Sequence, residues 1–250
     1  MKQPVISIIT VVYNGKKVLP MTIKSIATQT YDNIEYIIID GASTDSTLDV
    51  IEKNKNIVSK FVSEPDRGIY DAMNKGLKIA TGDYVWFLNA GDEIYSSDTI
   101  SKVFELEEAD AYYGDVGYID ENEEDLGTRT LKTPPESFSW KDMIWGMVVS
   151  HQSFIVKRKY AVNYDLRYKY TADVDWMIKT LKNCKTIGNT KLILSKFLVG
   201  GFSKKNIISS NRERFSILRK HFDLYEVLKS HALLSKDFIK YYLSNKKKYY

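Results

Sequence analysis

Four times in the first 92 residues an apolar, strand-like run stops on a polar turn. Residues 5–12 form a β-branched run that ends at Tyr13, Asn14 and Gly15. Residues 34–39 form a second, ending at Asp40 and Gly41, and residues 59–63 a shorter third before Glu64-Pro65-Asp66-Arg67-Gly68. The fourth, Val85-Trp86-Phe87-Leu88, stops at Asn89-Ala90-Gly91-Asp92-Glu93. Between the runs, apolar residues recur at helical spacing over 18–27, from Leu48 to Val50 and Ile51, and over 69–80. Continuous apolar runs suit strands buried on both faces, as in parallel sheets. Alternation with helices implies βαβ units, whose right-handed crossovers bring all strand ends to one side. Ligands of open α/β sheets bind in the crevice at those ends. The Asn14 turn, Asp40 and the turn holding Asn89 and Asp92 are therefore expected to line one crevice.

After Asp92 the pattern loosens. Residues 94–106 read as a helix, and 111–114 with 116–119 as a strand and hairpin turning at Asp120-Glu121-Asn122-Glu123. Pro134-Pro135 marks a loop, 140–145 a short helix, and Ser150-His151-Gln152-Ser153 leads into a strand over 154–156. A helix over 172–181 opens with two carboxylates, Asp173 and Asp175. A strand over 192–199 precedes a turn at Gly200-Gly201. The remainder, 206–250, reads as helical, with apolar pairs such as Leu218 and Phe222 one turn apart. No internal repeat or dividing linker is visible.

A chain of 250 residues can bury a full core. The single cysteine, Cys184, excludes a disulfide framework and a cysteine-based metal cluster. No stretch approaches the roughly 18 apolar residues of a membrane span, and Met-Lys-Gln-Pro runs straight into a strand without a signal peptide. A cytoplasmic protein is expected. The net charge of +4 is uneven, because residues 206–250 carry ten Lys or Arg against four Asp or Glu. A basic, amphipathic tail suits an anionic membrane surface, peripheral on the inner face of the cytoplasmic membrane. The plainer use is a helical pair packed on the domain or on a second subunit. Nothing points to nucleic acid.

Several chemistries lack their motifs. There is no Gly-x-Gly-x-x-Gly, no Gly-x-x-x-x-Gly-Lys-Ser/Thr and no Gly-x-Ser-x-Gly. His151, His221 and His231 show no metal-ligand spacing. What remains is a set of acids at strand ends and loop edges. An ionised carboxylate only accepts, so Asp40 could take an N–H of a nucleobase; a turn or cap residue is its plainer use. Asp92 offers oxygen to a hard cation that bridges a diphosphate. Arg67 and Lys75 flank a helix start at Gly68 and could add charge to phosphate binding. Acids in the first turn of a helix also favour its dipole, which alone would explain one of Asp173 and Asp175.

Four ordered blocks resemble the family 2 glycosyltransferases, enzymes of GT-A fold that use nucleotide-activated sugars. They are Ser7-Ile8-Ile9-Thr10-Val11-Val12-Tyr13-Asn14-Gly15, Ile39-Asp40-Gly41-Ala42-Ser43-Thr44-Asp45-Ser46-Thr47, the stretch from Asp66 through Gly76, and Thr81-Gly82-Asp83-Tyr84 through Asp92. His151-Gln152 and Tyr170-Thr171-Ala172-Asp173-Val174-Asp175-Trp176 resemble later motifs of the same family. The resemblance implies an α/β, Rossmann-like, three-layer fold with a mostly parallel central sheet and a C-terminal helical extension. It implies a catalytic domain over 1–205, with a nucleotide-sugar half (1–110) and an acceptor half (111–205), and a tail over 206–250.

By the same resemblance, Thr10, Val12, Tyr13, Asn14, Asp40 and Ser43 correspond to the nucleobase and ribose pocket. Arg67, Asp71, Asn74 and Lys75 correspond to the part closing over diphosphate and sugar. Asn89, Ala90, Gly91 and Asp92 occupy the family's Asp-x-Asp metal motif, implying Mg²⁺ or Mn²⁺ at Asp92. Asn89 and Gly91 depart from that motif, which suits an ion supported mostly by the nucleotide's phosphates. His151 and Gln152 correspond to acceptor-binding positions. Asp173 falls at the general base, with Asp175 the second acid to weigh. The implied reaction is inverting transfer of a sugar, from a UDP-sugar or similar donor, to a hydroxyl of a glycan or lipid-linked saccharide in cell-surface polysaccharide synthesis. A nucleotidyltransferase and a non-catalytic nucleotide-sugar-binding module remain as alternatives. Trp140 and Trp145 could stack on sugar faces, although core packing is their plainer use.

Overall fold

The computed structural model describes residues 3–120, 122, 124–128, 132–199 and 207–244. Its first half follows the expected alternation: β1 (Ile6–Val12), α1 (Leu19–Ala27), β2 (Ile34–Asp40), α2 (Thr47–Lys53), β3 (Lys60–Ser63), α3 (Ile69–Ile79) and β4 (Tyr84–Phe87). β1 pairs in parallel with β2 and β4, and β2 with β3. All seven residues of β1 are buried, because both faces of the sheet are covered. Ile6 and Ile8 point into one core with Leu19 and Ile23 of α1, while Ile9 and Val11 point into the other with Met73 of α3. Two cores on opposite faces of one sheet make the three layers. α3 lies close against β1 at Gly76, where a Cβ would come within 2.4 Å of Ile9 Cγ2.

The second half comprises β5 (Glu93–Ile94), α4 (Thr99–Phe104), β6 (Ala111–Ile119), β7 (Asp125–Thr128), β8 (Phe154–Lys157), α5 (Ala172–Asn183), β9 (Ile187–Leu198), α6 (Ile207–His221) and α7 (Leu224–Ser244). Short 3-10 helices cover Trp140–Trp145 and His151–Ser153. The strands form one sheet of order β3-β2-β1-β4-β8-β6-β9-β5, with β7 beside β6. The parallel pairing that the expectation required runs from β3 to β4. Past β4 it becomes mixed: β8 is antiparallel to β4 and β6, and β9 is parallel to β6.

Three boundaries differ from the sequence reading. The helix expected over 94–106 is only Thr99–Phe104, because Glu93 and Ile94 pair with β9 and the Ser96 hydroxyl bonds Asp98. The strand from 111 continues unbroken to 119, with register shifts absorbed around Asp115. β9 begins at Ile187 because it pairs along the whole of β6. Gly200, Gly201 and the lysines at 246–248 lie outside the described residues.

α6 and the start of α7 pack on the rest of the chain. Ile217, Leu218 and Val227 are fully buried and join the core that α5 also enters. Among the described residues, no helix is long and apolar enough to cross a membrane.

Candidate active site

The strand-end turns meet as expected, but they are bound to one another. Asp40, at the end of β2, is fully buried. Its Oδ2 accepts from Ser43 N (3.0 Å) and from the Ser63 hydroxyl (2.6 Å), and its Oδ1 from the Ser43 hydroxyl. Ser43 Oγ in turn accepts from Asn14 N at 2.8 Å, and Asn14 Oδ1 from Thr44 N at 2.8 Å. Asp40 is therefore a brace that ties β2, β3 and the 41–44 loop together. This corrects the expectation of a free acceptor for a nucleobase: both carboxylate oxygens are already engaged and no surface is open. Thr10 is likewise committed, its hydroxyl donating to Leu88 O at 2.7 Å, and Val12 is buried. Tyr13 is 64% exposed at the crevice edge, the open aromatic face of this group.

The α3 residues play bracing parts too. Asp71 accepts from Arg67 N (3.0 Å) and from its guanidinium (3.2 Å). Burial pushes the Asp71 carboxyl up, but the Arg67 bonds and the charges of Arg67 and Lys75 outweigh it and hold the group below its usual range. Lys75 donates to Pro65 O (2.8 Å) and pairs with Glu64 (2.9 Å), closing the 64–67 loop on the helix. Asn74 bonds both backbone groups of Tyr164, its Nδ2 to O (3.0 Å) and its Oδ1 from N (2.7 Å). It fastens the segment at Tyr164 to α3.

At the turn after β4, Gly91 has φ +99°, a conformation open to glycine, and its N–H donates to the Thr22 hydroxyl at 2.9 Å. Ala90 N donates to Val11 O. Asp92 is 4% exposed and points inward. Its Oδ1 accepts from Leu198 N and its Oδ2 from Gln152 Nε2, each at 3.2 Å. Burial pushes its carboxyl up to about 7, against the opposing pull of those bonds. These residues do not fit a divalent ion at Asp92. Both oxygens are taken, the environment favours the uncharged acid, and among the described residues no three His, Cys, Asp or Glu side chains converge. The oxygen left at this turn is Asn89 Oδ1, buried without a hydrogen-bond partner among the described residues.

Asp173 behaves differently. It stands in the first turn of α5 with its side chain 21% exposed. Its Oδ1 accepts from Val174 N (3.0 Å) and from the Tyr70 hydroxyl (3.4 Å). Its Oδ2 lies 3.7 Å from His151 Nδ1, and His151 Nε2 is 3.4 Å from Asn89 Nδ2. A polar chain thus runs from the β4 turn through His151 to Asp173. Burial lowers the His151 pKa, with the Asp173 charge working against it, which favours a neutral ring. Tyr70 stacks on Tyr164, and Tyr164 on Trp176, so an aromatic floor fixes this end of α5.

Asp173 opens on a cavity of about 310 Å³ that also includes Ser150, His151, Tyr170, Asn211 and Arg214. Gln152 lines it as well, but its amide is spent on Asp92 and on the Ser150 hydroxyl. Asp175 does not reach it. That carboxylate is 1% exposed, 3.1 Å from His221 Nε2 and 2.6 Å from Lys179 Nζ, on the opposite side of the helix. This places Asp175 in a buried ion-pair cluster and corrects its candidacy as a second acid of the site. Trp140 lies 5.3 Å from Phe222 and beneath Lys182, also away from Asp173.

Sequence reasoning missed three contributors. Tyr70 reads as an ordinary apolar position of α3. Glu213, in α6, accepts from the N–H groups of Lys169 (2.9 Å), Tyr170 (2.8 Å) and Thr171 (3.1 Å) and so caps the approach to α5. Arg214 follows it into the cavity wall. Both sit in a stretch whose charge pattern reads as a solvated surface, and no local signal distinguishes them.

The family model described as glycosyl transferase family 2 matches residues 7–161. A PGL/p-HBAD biosynthesis glycosyltransferase of Mycobacterium bovis is 34% identical over 193 residues, covering 73% of this chain and 72% of the relative. An uncharacterized glycosyltransferase of Mycobacterium tuberculosis is 28% identical over 230 residues, covering 89% and 84%. Among solved structures, S. aureus TarS in complex with UDP-GlcNAc superposes with TM-score 0.72 at 18% identity, over 95% of this chain and 72% of that one. The mannosyltransferase PcManGT of Pyrobaculum calidifontis, in complex with GDP-Man and Mn²⁺, gives 0.68 at 16% identity, over 94% and 70%. The GT-A-like α/β architecture is common to them. The strand-end turns, the cavity at Asp173 and these relatives agree, and the chain belongs to glycosyl transferase family 2.

Proposed function

We propose that this chain is an inverting glycosyltransferase. It moves a sugar from a nucleoside-diphosphate donor, with UDP-sugars the first class to try, to a hydroxyl of a glycan or lipid-linked saccharide in cell-surface polysaccharide synthesis. One observation carries the reading: Asp173 is a partly exposed carboxylate at the mouth of a cavity, within reach of His151 and Tyr70. The TarS complex with UDP-GlcNAc supports a nucleotide-sugar donor, and the PGL/p-HBAD biosynthesis glycosyltransferase supports glycosyl transfer.

In this mechanism the donor's base rests against Tyr13 and the 13–15 turn, and its diphosphate crosses towards the turn holding Asn89, Ala90 and Gly91. Asp173 accepts the acceptor hydroxyl's proton while that oxygen forms a bond to the anomeric carbon. The bond from that carbon to the diphosphate oxygen breaks on the opposite face, and its electron pair leaves with the nucleotide. His151 and Tyr70 orient the Asp173 carboxylate. PcManGT is described with Mn²⁺, and Mg²⁺ or Mn²⁺ here would rest on donor phosphates and Asn89 Oδ1 instead of Asp92. No step depends on that ion.

Thermal shift with UDP-, GDP- and dTDP-sugars, with and without Mn²⁺, finds the donor. Single-turnover transfer to a saccharide acceptor with Asp173→Asn then tests the base. The variant keeps nucleotide affinity and loses about 10²–10⁴-fold in rate. A near-normal rate overturns the assignment. The α6–α7 pair is also proposed to rest on an anionic membrane surface, and undiminished vesicle co-sedimentation after deletion of 206–250 would remove that role.

A further inference from the structure

The wall of the Asp173 cavity contributed by α6 has no assigned use. Ser210 and Arg214 stand one helical turn apart, so both side chains lie on the same face of α6. Both line the cavity. Ser210 Oγ and Arg214 Nε are each buried with no hydrogen-bond partner among the described residues. Buried polar atoms are nearly always paired, so two orphans on one helical face mark a place where a ligand completes the bonding. Arg214 is the only Lys or Arg lining the cavity among the described residues, and none of the ion pairs formed by those residues includes it. Its neighbour Glu213 is committed to the 169–171 backbone. A second cation converges nearby. Lys132 Nζ and Arg214 Nη1 both lie within 4 Å of the point where a Cβ on Gly146 would stand.

A hydroxyl beside a guanidinium fits an oxyanion. Serine hydroxyl and guanidinium can both donate to phosphoryl or carboxylate oxygens, and charge-assisted bonds of this type are the strong ones. The cavity's lining includes His151 and Asp173 but none of Tyr13, Asn14, Asp40 or Ser43. An anion held by Arg214 therefore lies in the cavity lined by His151 and Asp173, whose lining does not include those four residues of the strand-end turns. We propose that Ser210 and Arg214 recognise an anionic group, phosphoryl or carboxylate, carried by the acceptor saccharide. The site would select acidic acceptors and hold them so that a neighbouring hydroxyl meets Asp173. This rests on the glycosyl-transfer reading above.

Isothermal titration on the full chain tests it with three probes: methyl glucoside, methyl glucuronide and methyl glucoside 6-phosphate. UDP, GDP and dTDP are titrated in parallel. Wild type binds the two anionic glycosides at least about tenfold tighter than the neutral one. Arg214→Gln abolishes that preference, Arg214→Lys keeps part of it, and Ser210→Ala weakens it, while nucleotide affinity stays within about twofold. If Arg214→Gln instead weakens the nucleotide tenfold and leaves glycoside preference intact, the anion is the donor's diphosphate and the proposal is wrong. Equal binding of all three glycosides by wild type also overturns it, whether or not Arg214→Gln folds. Binding of no nucleoside diphosphate at all would sink the glycosyl-transfer reading itself, an outcome separate from loss of glycoside preference.

Discussion

The acids at the strand ends and the acid at the start of α5 sit under opposite constraints. Asp40 and Asp92 end or follow buried strands, and the protein itself occupies both oxygens of each. Asp173 sits in the first turn of a helix and keeps one oxygen near a histidine and a cavity. A strand end inside a two-sided sheet is enclosed by neighbouring turns, so a carboxylate there finds N–H and O–H donors before it finds a ligand. The helix start at Asp173 leaves its side chain partly exposed. The crevice rule of open α/β sheets thus points to the region of a site, but burial decides which acid there is open to a ligand.

The largest effect that tests this contrast is on turnover. Asp173→Asn should cost about 10²–10⁴-fold in rate with little change in stability. Asp40→Asn should act the other way, lowering the melting temperature and nucleotide affinity together, because it loosens the 41–44 loop. A variant at Asp40 that keeps full stability while losing only chemistry would break the distinction.

Next in size is Glu213, which carries the contrast into the tail. Glu213→Ala leaves three backbone N–H groups without their acceptor and should cost about 1–3 kcal/mol. The same change should slow transfer about tenfold or more through misplacement of Asp173, with nucleotide affinity unchanged. Glu213→Gln keeps one acceptor oxygen and should fall between. Unchanged single-turnover rates in Glu213→Ala would separate the tail from the site.

These residues also mark how far the sequence could be read. The four early strands, their parallel order and the meeting of their ends follow from continuous apolar runs and short polar turns, which are local signals. Asp173 was legible as a helix-start acid within a motif. Its partners were not. Tyr70 reaches it across about a hundred positions of sequence, and Glu213 caps its helix from a segment whose composition speaks of solvent. Asp40 and Asp92 misled for the same reason. Sequence shows that a carboxylate is present at a turn, while the number of donors surrounding it depends on tertiary packing. The mixed pairing beyond β4 was hidden similarly, since an antiparallel strand inserted between β4 and β6 leaves no mark in either.

The pH dependence of stability gives a finer test, because Asp92 and Asp175 carry opposite signs. Burial raises the Asp92 carboxyl to about 7, above its unfolded value. The folded state then binds the extra proton, so this contribution is complete below about pH 4 and is lost as pH rises through 7. Between pH 5 and pH 7 the wild type should lose about 2–3 kcal/mol from this group, and Asp92→Asn should flatten that slope. A slope unchanged in the variant would mean that Asp92 is ionised in the folded protein and open to a cation after all.

Asp175 should show the smallest effect and the reverse sign. Burial pushes its carboxyl up, but bonds from His221 and Lys179 outweigh that and hold it below its ordinary range. Its contribution is present above about pH 4 and disappears as pH falls through the folded value. Lys179 is partly exposed, so solvent screening reduces the pair's worth. Asp175→Asn should therefore cost about 1–2 kcal/mol near neutral pH and converge with wild type in acid, while single-turnover transfer stays within about twofold. Two carboxylates two residues apart on α5 would then divide cleanly, one affecting rate and the other affecting only how tightly α6 is held to the domain. If Asp175→Asn slowed transfer as much as Asp173→Asn, the assignment of chemistry by exposure would fail at the position where it is easiest to check.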